Sequence, residues 1–353
     1  MKRLHKTTAV CGLMALALTL SGCGAGARAD SRPMIGFTNR FIAGNSWLAT
    51  LAHSAASEGA KRGYRVQTAD AQGNAVQQIE QIRNFINQGA KAVIVEPVDD
   101  RAVAGGIREA ERAHVPVIMV NDQVAPDLAK RVACNIHDDA AATAELVGET
   151  TAKAVAARHQ PSDTVKLYVQ ALFPQELVTE TRQNGFMNGW NRYFRQHPGP
   201  KTVLIPNNYG KALPDATLTA MRNTLTAHPD VNVIFNETDV VTPAVQQALK
   251  DAGLMKPDGS TNVILASFDG GMDVVRSMAD NPKAPMVADG LNQPPTQAAM
   301  AVQEAIAAAQ GKKTGQCNGS PAERVLPPLV VTPQNAKNFV DPSLAFAGGN
   351  GKG

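Results

Sequence analysis

A chain of 353 residues, 44% hydrophobic and 18% charged, is globular rather than disordered, and at ~150 residues per domain it holds about two domains. Four cysteines in that length exclude a disulfide scaffold. A net charge of +3 is too small to argue for a nucleic-acid partner.

The chain opens on a targeting pattern. Lys2, Arg3 and Lys6 precede an apolar stretch over 9–20, which is shorter than the ~20 residues a spanning helix needs. Leu20-Ser21-Gly22-Cys23 follows directly and resembles the bacterial lipobox, whose cysteine is lipidated and becomes the first mature residue. The expected order is therefore a lipoprotein signal over 1–22, lipidation at Cys23 and a tether over 23–32. Removal of the three basic residues leaves 31 basic against 31 acidic, so the mature chain is formally neutral. Cys134 and Cys317 remain as thiols, and the sequence leaves open whether they join or are buried as two small residues.

From Pro33 onward short apolar runs alternate with amphipathic stretches. The runs predict strands over 34–37, 64–69, 92–95, 115–120, 165–170, 202–206, 231–235, 262–268, 286–291 and 324–331. Helical spacing predicts helices over 46–62, 75–87, 101–113, 140–157, 176–194, 213–227, 243–252, 272–279 and 296–310, several closed by glycine, and a short one opening at 333–335. Runs such as Val115-Pro116-Val117-Ile118-Met119-Val120 are continuously apolar, as strands buried on both faces require. The fold class is α/β, with parallel sheets covered on both faces, and about ten strands suit two sheets better than one. The small-residue tail from 346 to 353 is expected to be disordered.

Catalytic signatures are missing: there is no phosphate-binding loop, His-Glu-x-x-His, Cys-x-x-Cys or Gly-x-Ser-x-Gly. No metal, cofactor or catalytic residue is called for. Polar residues gather instead directly after the strands. They include Asn45 and Trp47 beyond the first strand, Glu96 beyond the third, and Asn121 with Asp122 beyond the fourth. In the second half Tyr209, Thr238, Asp269 and Gln293 stand just past predicted strands. Ligands of open parallel sheets bind outside the carboxyl ends of the strands. Amides and carboxylates there suit a hydroxyl-rich ligand, and aromatic faces cover the apolar face of a sugar ring.

Met34-Ile35-Gly36-Phe37, Gly63-Tyr64, the run Gly89-Ala90-Lys91-Ala92-Val93-Ile94-Val95-Glu96-Pro97, Arg182-Gln183-Asn184-Gly185-Phe186 and Phe268-Asp269-Gly270 resemble, in order and spacing, the periplasmic sugar-binding proteins of ABC importers, and most closely the ribose-binding group. The resemblance runs from 33 to about 332. It implies the type I periplasmic binding protein fold: two doubly wound, Rossmann-like domains joined by a three-stranded hinge. One lobe would hold 33–137 plus 294–322, the other 138–293 plus 323–345, with the ligand captured between them by hinge closure. It also implies a periplasmic, lipid-anchored monomer that binds a small carbohydrate and delivers it to an inner-membrane permease.

By matched position, Asn45, Arg182, Asp269 and Gln293 would bond sugar oxygens, and Trp47 and Tyr209 would stack on the ring. Asn121-Asp122, Glu96 and Thr238 depart from the ribose pattern. Glu96, Asp122 and Asp269 against Arg182 give the cleft a formal balance of −2, which implies a ligand other than ribose: another sugar, a polyol or an amino sugar. The same scaffold also suits a sugar or autoinducer sensor for a chemoreceptor or receptor kinase, or a small-substrate hydrolase or isomerase with Glu96 and Asp269 as acid and base. A secretion signal in place of a DNA-binding headpiece excludes a sugar-responsive repressor.

Overall fold

The computed structural model describes residues 30–281, 284–312, 317, 322–344 and 346. The signal segment and Cys23 lie outside the described residues, as do most of the tether and the tail beyond 346. Residues from Arg32 onward make up one structural unit, and both lobes described below belong to it.

The first lobe is wound from β1 (Met34–Asn39), α1 (Ser46–Lys61), β2 (Arg65–Asp70), α2 (Ala75–Asn87), β3 (Ala92–Val95), α3 (Ala104–Arg112), β4 (Val117–Val120), α4 (Pro126–Ala129) and β5 (Cys134–Asp138). The second follows with α5 (Ala140–Ala156), β6 (Thr164–Ala171), α6 (Leu177–Gln196), β7 (Lys201–Tyr209), α7 (Pro214–Ala227), β8 (Val233–Asn236), α8 (Thr242–Asp251), β9 (Ile264–Asp269), α9 (Met272–Asp280) and β10 (Met286–Leu291). Last come α10 (Pro294–Ala309), β11 (Glu323–Leu326) and β12 (Val330–Val331).

The two six-stranded sheets run β11-β5-β4-β3-β1-β2 and β12-β10-β9-β8-β6-β7. Only the pairing of β12 with β10 is antiparallel among the described strands. The order is the same in both, so β1, β3 and β4 correspond to β6, β8 and β9. The central strands β3 and β4 are buried throughout, as their unbroken apolar runs require. The chain crosses between sheets after β5, again between β10 and β11, and again between β11 and β12. Helix α10 returns to the first lobe, against α1, β3, β4 and β5.

Three expectations are corrected. First, β5 was not anticipated, because Cys-Asn-Ile-His-Asp alternates weakly and carries no apolar run. Its five residues are nevertheless all buried, between β4 and β11. Second, the predicted strand over 324–331 is two strands in different sheets. Pro327 and Pro328 have no N–H to give to a ladder, and the chain changes sheets there. Residues 323–326 therefore continue the first sheet rather than the second lobe. Third, the chain is still packed at Phe346, where the tail was expected to begin. Phe346 is 1% exposed, and its carbonyl accepts the Met272 N–H at 2.8 Å.

Cys134 and Cys317 form a disulfide, which ties the segment after α10 to β5. In the second lobe α5 and α6 touch through Gly148, Gly185 and Gly189, where a Cβ would run into the backbone of the other helix. That close approach sets α6, whose first turns carry residues of the site.

Candidate functional site

The carboxyl ends of the strands of both lobes meet around two adjoining cavities. The larger, of about 270 Å³, is lined by Asp100, Gln123, His137, Asp138, Glu176 and Thr181 among others. The smaller, of about 50 Å³, is lined by Asn45, Trp47, Glu96, Thr238 and Asp269 among others. Arg40, Asn121, Asp122, Val178 and Arg182 line both, so the two form one continuous cleft.

Eight of the ten residues singled out from the sequence line the smaller cavity: Asn45, Trp47, Glu96, Asn121, Asp122, Arg182, Thr238 and Asp269. Asn45 also caps α1, its Oδ1 accepting the Leu48 N–H at 2.9 Å. Trp47 packs in the first lobe's core, and its Nε1–H donates to the Asn292 carbonyl at 3.2 Å, beside the second crossing.

Tyr209 and Gln293 line neither cavity. Tyr209 ends the edge strand β7, whose register against β6 shifts between Tyr168 and Gln170, and it is 44% exposed. Phe173, just past β6, stands in the smaller cavity as an aromatic of the second lobe. Gln293 accepts from Thr296 at the start of α10. Its neighbour Asn292 turns inward instead, donating from Nδ2 to Asn121 Oδ1 at 3.2 Å and to Asp269 Oδ1 at 3.4 Å.

The centre of the cleft is a residue the sequence reading passed over. Arg40 follows β1 directly and is 5% exposed. Its backbone N–H donates to Glu96 Oε2 at 2.9 Å and its Nε–H to the Pro97 carbonyl at 3.0 Å. Nη2 pairs with Asp122 at 2.9 Å, and Nη1 with Glu176 at 2.8 Å. Glu176 belongs to the second lobe, immediately before α6, so one guanidinium joins both lobes. The guanidinium also lies 4.7 Å from the Phe173 ring centre, and Phe41 and Phe173 meet across the cleft at 6.5 Å. Burial alone would lower the Arg40 pKa, but Asp122, Glu96 and Glu176 together raise it, so the cation persists. An arginine among strand-end polar residues was the available sequence signal.

Arg182 plays the corresponding part within the second lobe. Nη2 pairs with Asp269 Oδ1 at 2.9 Å, Nη1 donates to the Glu237 carbonyl, and the guanidinium lies 4.0 Å from the Phe268 ring centre. Thr238 Oγ1 donates to the other Asp269 oxygen at 2.6 Å. Asp269 (φ 106°) ends β9 and Asn121 (φ 71°) directly follows the corresponding strand β4, both with backbones that residues other than glycine rarely adopt. Such strain, of order 1–3 kcal/mol each, collects where side chains are aimed for function.

The periplasmic binding protein domain family matches residues 35–313. The chain belongs to that family. Ribose import binding protein of Escherichia coli is 24% identical over 244 residues, 69% of this chain and 75% of the relative. The galactofuranose-binding protein of Escherichia coli is 25% identical over 241 residues, 67% of this chain and 71% of the relative. Among solved structures, an ABC transporter solute-binding protein from Mycobacterium smegmatis with bound glycerol superposes with a TM-score of 0.73 at 24% identity, covering 90% of this chain and 99% of that one. The two-lobed α/β fold is thus the one the sequence pattern implied. Members of this periplasmic family are binding proteins for transport rather than enzymes, and the hydrolase or isomerase reading is set aside.

In this binding protein Glu96 and Glu237 form a matched pair. Each follows a corresponding strand, β3 or β8, and each accepts the backbone N–H of the residue just past β1 or β6: Arg40 at 2.9 Å and Leu172 at 3.0 Å. Burial pushes both carboxyls up to about 8, and likewise raises Asp289 to about 8 and Asp138 to about 7. The folded chain therefore holds protons that the unfolded chain releases near 4 to 4.5. Their contribution to stability is complete below that range and is lost as pH rises through 7 to 8. The thermal midpoint should fall steadily from pH 5 to pH 9. A calorimetric scan giving a flat or rising midpoint over that window would contradict the buried-acid assignment.

Proposed function

We propose that this chain is the substrate-binding component of an ABC importer, which captures a sugar or polyol between its lobes and presents it to a permease. The observation that carries this reading is the convergence of strand-end carboxylates, amides and aromatics of both lobes on one cleft, bridged by Arg40 to Glu176. A ligand that touches both lobes only when they are closed stabilises closure. The relatives' own ligands support the chemical class. One is named for ribose and one for galactofuranose, and related solved structures hold glycerol, myo-inositol and D-allose.

Periplasmic placement follows from the family. We add to it a lipid anchor at Cys23 and a monomeric chain, on the strength of the signal pattern and of a binding cleft completed within one chain. The proposed contacts are the eight cleft-lining residues, joined by Arg40. The departures at Glu96, Asn121-Asp122 and Thr238 favour a ligand other than ribose, because the cation that the family often carries beside the strand-four aspartate comes here from Arg40, in the segment just past β1.

Two tryptophans make the test direct. Trp47 lines the cleft, whereas Trp190 lies in the second lobe's core. Titration with D-ribose, D-galactose, L-arabinose, D-allose and myo-inositol should change the emission, and Trp47→Phe should abolish that change while calorimetry still detects binding. Emission that responds equally in Trp47→Phe would remove the cleft assignment, and ribose as the tightest of the panel would overturn the specificity reading.

A further inference from the structure

The strands of the first lobe carry opposite charge at their two ends. Carboxylates collect at the carboxyl ends, where Glu96, Asp122 and Asp138 line the cleft. Cations collect at the other end. Lys61 and Arg62 close α1, Lys91 precedes β3, Arg112 is the last residue of α3, Arg131 lies ahead of β5, and Lys312 lies just past α10. All six are exposed. Backbone and side-chain contacts hold them on one pole. The Lys91 N–H donates to the Met34 carbonyl at the start of β1 at 2.8 Å, and Gln310, next to the end of α10, donates to the Tyr64 hydroxyl between α1 and β2 at 3.4 Å. Arg131 pairs with Glu111 at the end of α3 at 2.7 Å. Lys61 and Arg62 share Glu58, and Glu109 is taken by Arg83. Six cations against Glu58 and Glu111 leave 6 − 2 = +4 on this pole, although the mature chain as a whole is formally neutral.

Helix macrodipoles account for part of this charge. A cation in the last turn meets the negative end of its helix, which explains Lys61 and Arg112. Helices α2 and α10 carry no cation in the last turn, and Lys91 and Lys312 stand beyond their ends, where the dipole has faded. The chain also enters the fold at this pole. The Pro33 carbonyl accepts the Arg65 N–H at 2.9 Å, and the next residue opens β1. Arg32 is nine positions from Cys23, a reach of at most about 30 Å.

We propose that this pole is a membrane-contact surface whose partner is the anionic phospholipid headgroups of the membrane that holds Cys23. The inference rests on the lipid-anchor reading above and goes beyond it: the anchor keeps the chain at a membrane, and the pole decides which way round it stands. Clusters of about four to eight Lys or Arg attract anionic lipid surfaces, within a Debye length of ~8 Å. The tether is short enough to bring the pole into that range. The carboxyl ends of the strands then point away from the headgroups. The six residues of β1 span roughly 20 Å, so the acidic rim of the cleft stands beyond the reach of the negative surface and faces solution.

The experiment reconstitutes the full mature chain, acylated at Cys23, into vesicles of phosphatidylcholine alone or of equal parts phosphatidylcholine and phosphatidylglycerol. A membrane-impermeant amine-acetylating reagent is added, and the rate at each lysine is read by mass spectrometry. On the anionic vesicles Lys61, Lys91 and Lys312 should react about fivefold or more slowly than on the neutral ones, while Lys201, exposed at the start of β7 in the second lobe, reacts equally on both. Raised salt should restore the three rates in the wild type, a check that needs no variant. Reversal of the other cations, in Arg62→Glu/Arg112→Glu/Arg131→Glu, should restore them at low salt. Equal rates on the two vesicles, or slowing of Lys201 to the same degree, overturn the inference while the anchor reading stands. A chain recovered from cells without acyl groups on Cys23 overturns the anchor reading and this inference with it, and leaves sugar capture untouched.

Discussion

Replacing Arg40 with methionine is expected to cost about 3–5 kcal/mol, divided between folding and ligand affinity. Methionine fills similar space but abandons Glu96, Asp122 and Glu176, of which the first is 1% exposed and the others are partly covered. Asp122 and Glu96 belong to the same lobe as Arg40, so their loss lowers the melting temperature of the free protein. Glu176 belongs to the other lobe, so its loss penalises the closed arrangement alone. Glu176→Gln separates the two effects: it should weaken ligand binding by several-fold, read by calorimetry, and leave the melting temperature of the free protein within a degree or two. An Arg40→Met variant with wild-type affinity would show that the cleft closes without its central cation.

Arg182→Ala carries the second large expectation. The guanidinium is 4% exposed, paired with Asp269, bonded to the Glu237 carbonyl and laid over Phe268. Truncation strands a buried carboxylate and a buried carbonyl together and opens a void beside an aromatic ring, a loss of about 3–5 kcal/mol on the pattern of broken buried ion pairs. All of these partners lie in the second lobe, so thermal unfolding should begin there, at lower temperature, and sugar binding should fall by at least a hundredfold. Arg182→Lys should recover only part of the loss. A lysine meets Asp269 as a point charge but does not reproduce the planar fork that reaches Asp269 and the Glu237 carbonyl at once. Full recovery by lysine would mean that charge alone, not the fork, is what the site uses.

Much of the architecture was legible because its signals are local. Buried parallel strands read as unbroken apolar runs, and the helices between them as one-sided patterns closed by glycine. β5 escaped this reading because its burial comes from neighbours on both sides and not from its own residues. The run over 324–331 misled for the opposite reason. It looks like one strand, yet Pro327 and Pro328 let the chain leave one sheet and enter the other within a few residues. The disulfide was undecidable from sequence, since Cys134 and Cys317 stand 183 positions apart and only the fold brings their Cα atoms to 5.7 Å.

The same division holds for the cleft. That polar residues stand just past the strands is a property of the chain read in order, and it sufficed to place Asn45, Trp47, Glu96, Asn121, Asp122, Arg182, Thr238 and Asp269 on a common rim. Which rim residues face inward was decided by the tertiary structure. A register shift between β6 and β7 left Tyr209 on the surface, and the turn into α10 brought in Asn292 rather than Gln293. The pairing of charges was decided there too. Arg40 meets Asp122 across 82 positions and Glu176 across 136, and burial then holds the Glu96 carboxyl near 8. Strand placement depends on a few residues and their solvent preference, so it is written locally. Ion pairs and shifted carboxyls depend on distances and desolvation set by two lobes meeting, and no stretch of sequence contains those until the chain has folded.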